Sequence, residues 1–191
     1  MTRRRRPLAR ALADGGLPII ELTLRTPSAL EAIRRIAAEV PEILVGAGTI
    51  LDTRQAEAAA AAGARFLVSP GSTPAVLDAM DATGLPYLPG TSTVSEMMAV
   101  DERGHTEMKF FPAEAAGGAP YLASLTSPLP QLRFCPTGGI TATAARYLQL
   151  PNVGCVGGSW LTPADALAEG DWTRITNLAA EAKVAGSEPG W

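Results

Sequence analysis

Seven short apolar runs, each closing near a glycine or proline, recur along the chain: "PIIELTL" at 18–24, "ILVGAGT" at 43–49, "FLVSPG" at 66–71, "PYLPGT" at 86–91, "EMKFFP" at 107–112, "RFCPTGG" at 133–139 and "VGCVGGS" at 153–159. Their length and bounding residues predict strands. Helix start signals stand between them. Thr26 and Pro27 precede "SALEAIRRIAAE", Asp52 precedes "TRQAEAAAAAG", and Thr93 with Glu96 forms a capping box before "MMAV". A helix, "RPLARALADGG", comes before the first strand. The strand-helix unit repeats about every 20 to 26 residues, short for an open doubly wound sheet and comfortable for a compact barrel. The predicted fold is an α/β, TIM-type (β/α)8 barrel with seven strands visible, built as a single domain over 1–191.

In a parallel barrel the glycine- and proline-rich strand ends form the face on which active sites are built. Strand alternation then sorts the side chains. In "IIELTLR", Glu21, Thr23 and Arg25 share one face, and Ile20, Leu22 and Leu24 share the other. A carboxylate and a guanidinium on an interior face are costly unless used or paired. Strand rise separates the Glu21 and Arg25 Cα atoms by roughly 13 Å, too far for a tight ion pair without help.

In "EMKFFPAE" the same alternation places Glu107, Lys109 and Phe111 together, with Met108 and Phe110 opposite. Lys109 and Lys183 are the only lysines among 16 basic residues. Where charge alone was needed, the chain uses arginine. Arginine stays charged in proteins, whereas a lysine amine can lose its proton when desolvated or set near another cation such as Arg25. The neutral amine is a nucleophile. Two readings of Lys109 remain at this point: a covalent catalyst, or a buried ion pair with Glu107 or Glu21. Lys183 lies in a polar C-terminal helix and needs no special role.

Charge and composition restrict the alternatives. A net charge of −3 gives no reason to expect nucleic acid or an anionic membrane as partner, and the basic run at 3–6 reads as a solvated end. "PLARALADGGLP" lacks the unbroken apolar stretch of a signal peptide, and no segment of about 18 apolar residues exists to span a membrane. Cys135 and Cys155 lie in apolar runs and read as buried free thiols of a reducing cytoplasm. The single histidine, His105, sits in "DERGHTE", an exposed connection before a strand. Metal clusters and Ser-His-Asp or Cys-His machinery are therefore not expected.

An anion site is expected at the last two strands. "TGGI" at 137–140 and "GGSW" at 157–160 bring backbone N–H groups and the hydroxyls of Thr137 and Ser159 to the position where such barrels hold phosphate.

The segments "ELTLRT" (21–26), "VGAGT" (45–49), "SPG" (69–71), "KFFPAE" (109–114), "FCPTGGI" (134–140) and "GGSWL" (157–161) occur in the order and at the intervals seen in one family. The chain resembles the bacterial 2-keto-3-deoxy-6-phosphogluconate aldolases, also called 4-hydroxy-2-oxoglutarate aldolases, from about residue 8 to 183. The resemblance implies a metal-independent, cofactor-free class I aldolase of the Entner-Doudoroff pathway, a cytoplasmic homotrimer acting on a small phosphorylated 2-keto acid. It implies Lys109 as the Schiff-base lysine, Glu21 as general acid/base, and Arg25, Thr49 and Thr137 around the pyruvyl carboxylate. Pro70 and Phe111 would shape the pocket, and Gly138, Gly139, Gly158 and Ser159 would serve the phosphate end.

Two other readings compete. A phosphosugar isomerase or epimerase would use Glu21 as base and leave Lys109 an electrostatic group. An N-terminally truncated barrel would bind ligand without turnover. The second arises because the resemblance implies a further helix and a first strand upstream, which this chain lacks; "MTRRRR" has no strand pattern to replace them. The expectation is a slot between "PIIELTL" and "VGCVGGS", with the chain as given poorly soluble or weakly active.

Overall fold

The computed structural model describes residues 5–141 and 144–187. Arg3 and Arg4 of the basic run lie outside the described residues. The elements in chain order are α1 (Arg5–Asp14), β1 (Ile19–Thr23), α2 (Ala29–Glu39), β2 (Leu44–Gly48), α3 (Thr53–Ala61), β3 (Leu67–Val68), α4 (Pro74–Asp81), β4 (Tyr87–Leu88), β5 (Gly90–Thr91), α5 (Val94–Asp101), β6 (Glu107–Phe110), α6 (Gly118–Ser124), β7 (Arg133–Pro136), α7 (Ala145–Leu148), α8 (Ala164–Glu169) and α9 (Trp172–Ser187). Strands and helices alternate through most of the chain, as the apolar runs predict. The chain divides into two compact units.

The first unit runs to Ser69 and adds Thr73–Tyr87 and Leu161–Val184. Its sheet has the order β1-β2-β3-β4. β1 and β2 pair in parallel with Ile20 beside Val45, Glu21 beside Gly46 and Thr23 beside Gly48. Ala29, Ala32, Ile33 and Ile36 repeat at helical spacing, form the buried stripe of α2, and pack with Ile20, Leu22 and Val45 in the core. α3 begins as the sequence indicates, with the Asp52 carboxylate accepting from the Gln55 N–H at 2.7 Å. α2 does not begin at Thr26. Its N-cap is Ser28, whose side chain makes no capping bond, and the Thr26 and Ser28 hydroxyls face each other at 3.3 Å. α9 is fastened to α1 where the Thr176 hydroxyl donates to the Ala11 carbonyl at 3.0 Å.

The second unit comprises Pro70–Ser72 and the chain from Leu88 to Trp160. Its sheet has the order β5-β6-β7, all parallel, and isolated bridges join Phe134 to Val153 and Thr137 to Gly157. Phe110 leaves β6 to stack on Tyr121 of α6, with ring centroids 5.4 Å apart. Met108, Phe134, Leu122, Leu132 and Tyr147 complete the core. α5 carries the expected capping box between Thr93 and Glu96.

The described residues hold seven strands, but not the expected seven. "PYLPGT" contributes two short strands because Pro89, between β4 and β5, has no N–H to continue a ladder. "VGCVGGS" contributes only the two bridges, since its glycine-rich segment does not pair continuously.

Candidate active site

In the first unit β1 shows the predicted alternation: Ile20 and Leu22 are buried, while Glu21 and Thr23 are half-buried on the other face. Arg25, just past the strand, is exposed, and its Nε donates to the Thr23 hydroxyl at 3.1 Å. The Glu21 carboxylate lies against the backbone of β2, where Gly48 leaves room for it: a Cβ at 48 would stand 1.7 Å from Glu21 Oε1. Thr49 follows with φ of +63°, the only non-glycine residue with positive φ among the described residues. A β-branched residue in the left-handed region is strained, and such strain collects at functional positions. The first unit thus carries Glu21 in the middle of β1, with Arg25 and Thr49 just past the carboxyl ends of β1 and β2.

In the second unit Lys109 is 7% exposed. Its Cα pairs in register with Gly90 on one side and Cys135 on the other. Its Nζ is 5.2 Å from the centre of the Phe111 ring, so the predicted sharing of one face by 109 and 111 holds. Pro70 lies against β5, where a Cβ at Gly90 would be 2.3 Å from the Pro70 carbonyl carbon.

The loop after β7 is shaped by consecutive glycines, with φ of +101° at Gly138 and +80° at Gly139, a conformation side-chain-bearing residues rarely adopt. It is tied to the loop after β6 by backbone bonds: Ala113 N–H donates to Thr137 O at 2.8 Å and Glu114 N–H to Gly138 O at 3.1 Å. Thr137 pairs with Gly157, which brings the Gly158 and Ser159 backbone alongside. The two expected anion-binding glycine pairs are neighbours.

Glu114 is a residue that alternation along the strands does not single out. Its carboxylate accepts from both the Arg146 guanidinium and the Tyr147 hydroxyl. Those bonds, Arg146 first, hold its pKa below the usual carboxylate range, while burial, then the bond to Glu114, pushes the pKa of the Tyr147 phenol up. Glu114 thereby ties α7 to the loop after β6, which its own N–H bonds to the loop carrying Gly138. Its place in "KFFPAE" was the only signal in the sequence.

Two expectations need correction. The cysteines form no disulfide but are not buried: Cys155 is exposed and Cys135 half-buried, because the irregular glycine-flanked segment 153–157 leaves the 155 side chain uncovered. His105 is half-buried rather than exposed, although it lies in the connection before β6 as expected. Among the described residues no helix is long and apolar enough to cross a membrane. A cleft of about 460 Å³ lined by Pro7, Arg10, Asp14, Trp172 and Thr176 holds none of the predicted site residues.

Parallel strands alternating with helices define an α/β protein, and the buried lysine on the central strand of the second sheet has the residue type that imine chemistry needs. The chain belongs to the KDPG and KHG aldolase family, whose pattern it matches over residues 2–178. It is 53% identical over 177 residues to the KHG/KDPG aldolase of Escherichia coli K12, covering 92% of this chain and 83% of that protein. The KDPG aldolase of Legionella pneumophila, with pyruvate captured at low pH as a covalent carbinolamine intermediate, superposes with a TM-score of 0.92 at 44% identity, covering 95% of this chain and 89% of the other. The 2-keto-3-deoxy-6-phosphogluconate aldolase of Zymomonas mobilis ZM4 with 3-phosphoglycerate gives 0.90 at 46% identity, covering 95% and 86%. Membership makes the chain a lyase and decides against the isomerase reading.

Proposed function

We propose that the chain is a class I aldolase that cleaves 2-keto-3-deoxy-6-phosphogluconate to pyruvate and glyceraldehyde 3-phosphate, and 4-hydroxy-2-oxoglutarate to pyruvate and glyoxylate. The observation that carries this reading is the near-complete burial of Lys109, with its amine beside the Phe111 ring. The covalent pyruvate adduct of the Legionella relative supports the same chemistry.

In this reading the Lys109 amine attacks the 2-keto carbon, and loss of water gives a protonated imine. The imine accepts the electron pair of the breaking bond between carbons 3 and 4, forming an enamine. Glu21 moves protons during imine formation and takes the proton of the 4-hydroxyl as the aldehyde leaves. Protonation of the enamine and hydrolysis release pyruvate and restore the amine. Arg25, Thr49 and Thr137 hold the pyruvyl carboxylate, Pro70 and Phe111 bound the pocket, and Gly138, Gly139, Gly158 and Ser159 take the phosphate. The enzyme acts in the cytoplasm as a homotrimer.

The test is borohydride reduction in the presence of pyruvate, followed by peptide mass analysis. The expected result is a pyruvyl-derived group on Lys109 alone. A label on Lys183, or no label on folded protein, removes the class I assignment.

A further inference from the structure

β7 and the segment beside it pair out of step. Between the bridges at Phe134 and Thr137 β7 advances three residues, while its neighbour, from Val153 to Gly157, advances four. The extra residue is a β-bulge. Gly154 N–H still donates to Phe134 O at 3.0 Å, and Gly157 N–H to Pro136 O at 2.9 Å, so the insertion falls between them. In unbroken parallel pairing Gly154 would stand beside Cys135, and Cys155 would point to the opposite face. The bulge returns Cys155 to the side of Cys135, and the two thiols hydrogen bond.

The geometry suits a covalent link. Residues set side by side at the usual spacing of paired strands, about 4.8 Å, fall inside the roughly 4.4–6.8 Å between Cα atoms that a disulfide spans. Neither cysteine is in a disulfide, and Cys155 is exposed to solvent. The bond from Cys135 draws the pKa of the Cys155 thiol below its ordinary value, against the opposing effect of partial burial of the sulfur. Cys155 is the solvent-exposed thiol of the pair, the one a peroxide meets first, with Cys135 beside it as the resolving partner. Cys135 also sits in register with Lys109, and its sulfur is 3.9 Å from the Thr137 hydroxyl.

We propose that Cys135 and Cys155 are a modification site that forms a reversible intrachain disulfide when the chain meets a hydroperoxide. The Cys155 thiolate attacks the peroxide O–O bond; with the proton it has lost, this gives a sulfenic acid and one water from hydrogen peroxide. Cys135 then attacks the sulfenic sulfur, and a second water leaves as the S–S bond forms. Two thiols are oxidised and one peroxide is reduced to two waters. A dithiol of reducing-agent class reverses the step by exchange. The site depends on the bulge and not on the aldol reaction.

The experiment treats the reduced full chain with hydrogen peroxide, blocks residual thiols with iodoacetamide, and maps a non-reducing tryptic digest by mass. The expected product links peptides 134–146 and 147–174 within one chain, lighter by two hydrogens, and disappears with dithiothreitol. C135S should leave a Cys155 sulfenic acid that dimedone traps, whereas C155S should leave Cys135 largely open to iodoacetamide. Full alkylation of both thiols after peroxide, links only between chains, or accumulation of a dimedone-reactive Cys155 in the unmutated chain would overturn the proposal.

Discussion

The carboxylate of Glu21 occupies the space that a side chain at Gly48 would fill, since a Cβ there would stand 1.7 Å from Oε1. Gly48 is therefore a condition for the position of Glu21. Gly48→Ala should displace the carboxylate while leaving Lys109 free to form its imine. A shift of about 1 Å at a reacting group can cost on the order of 10² in rate. The expected result is a fall of that order in kcat, a smaller change in KM and continued pyruvate trapping at Lys109. Unchanged kcat would remove Glu21 from proton transfer.

Lys109→Arg keeps positive charge and similar bulk in the buried position, but a guanidinium forms no imine. Cleavage should be lost and no borohydride-stable adduct should form. Activity above about a tenth of the unmutated rate would count against covalent catalysis, because general acid/base help alone supplies about 10²–10⁴.

Much of this site was legible because strand alternation is a local rule. The face shared by Glu21 and Thr23, the burial of Lys109 and its closeness to Phe111 all follow from it. The Asp52 and Thr93 caps were equally local, each needing only a partner three residues on. What escaped depends on non-local pairing. The contact of Cys135 with Cys155 arises from a bulge that composition does not announce, and Glu114 gains its role from Arg146 and Tyr147, over thirty residues later. The strain at Thr49 lies in backbone geometry that residue type argues against.

Glu114 gives a pH signature. Its folded pKa is depressed, chiefly by the Arg146 bond and then by the Tyr147 bond. The stabilisation is therefore fully present above the ordinary glutamate value of about 4.3 and is lost as pH falls through the lower folded value. Glu114→Gln should lower Tm by roughly 2–4 °C at pH 7, with a difference that shrinks in acid. Thermal melts of both proteins between neutral pH and about pH 3 measure this; a difference that grows in acid would contradict it.

Ser159 tests the phosphate end. The bridge between Thr137 and Gly157 sets Gly158 and Ser159 beside the loop of Gly138 and Gly139, where backbone N–H groups, rather than a cationic side chain, are the proposed anion ligands. Such a cradle depends on the absence of competing negative charge. Ser159→Asp introduces one at an exposed position, so the fold should tolerate it. Two like charges about 4–6 Å apart near a protein surface repel by roughly 1–4 kcal/mol. The KM for 2-keto-3-deoxy-6-phosphogluconate should rise about tenfold or more, while that for 4-hydroxy-2-oxoglutarate, which has no phosphate, should move less than about twofold. Ser159→Ala, which removes only a hydroxyl, should affect both substrates mildly. Equal losses for the two substrates in the aspartate variant would place the phosphate elsewhere, because only a group near the phosphate can separate them by charge.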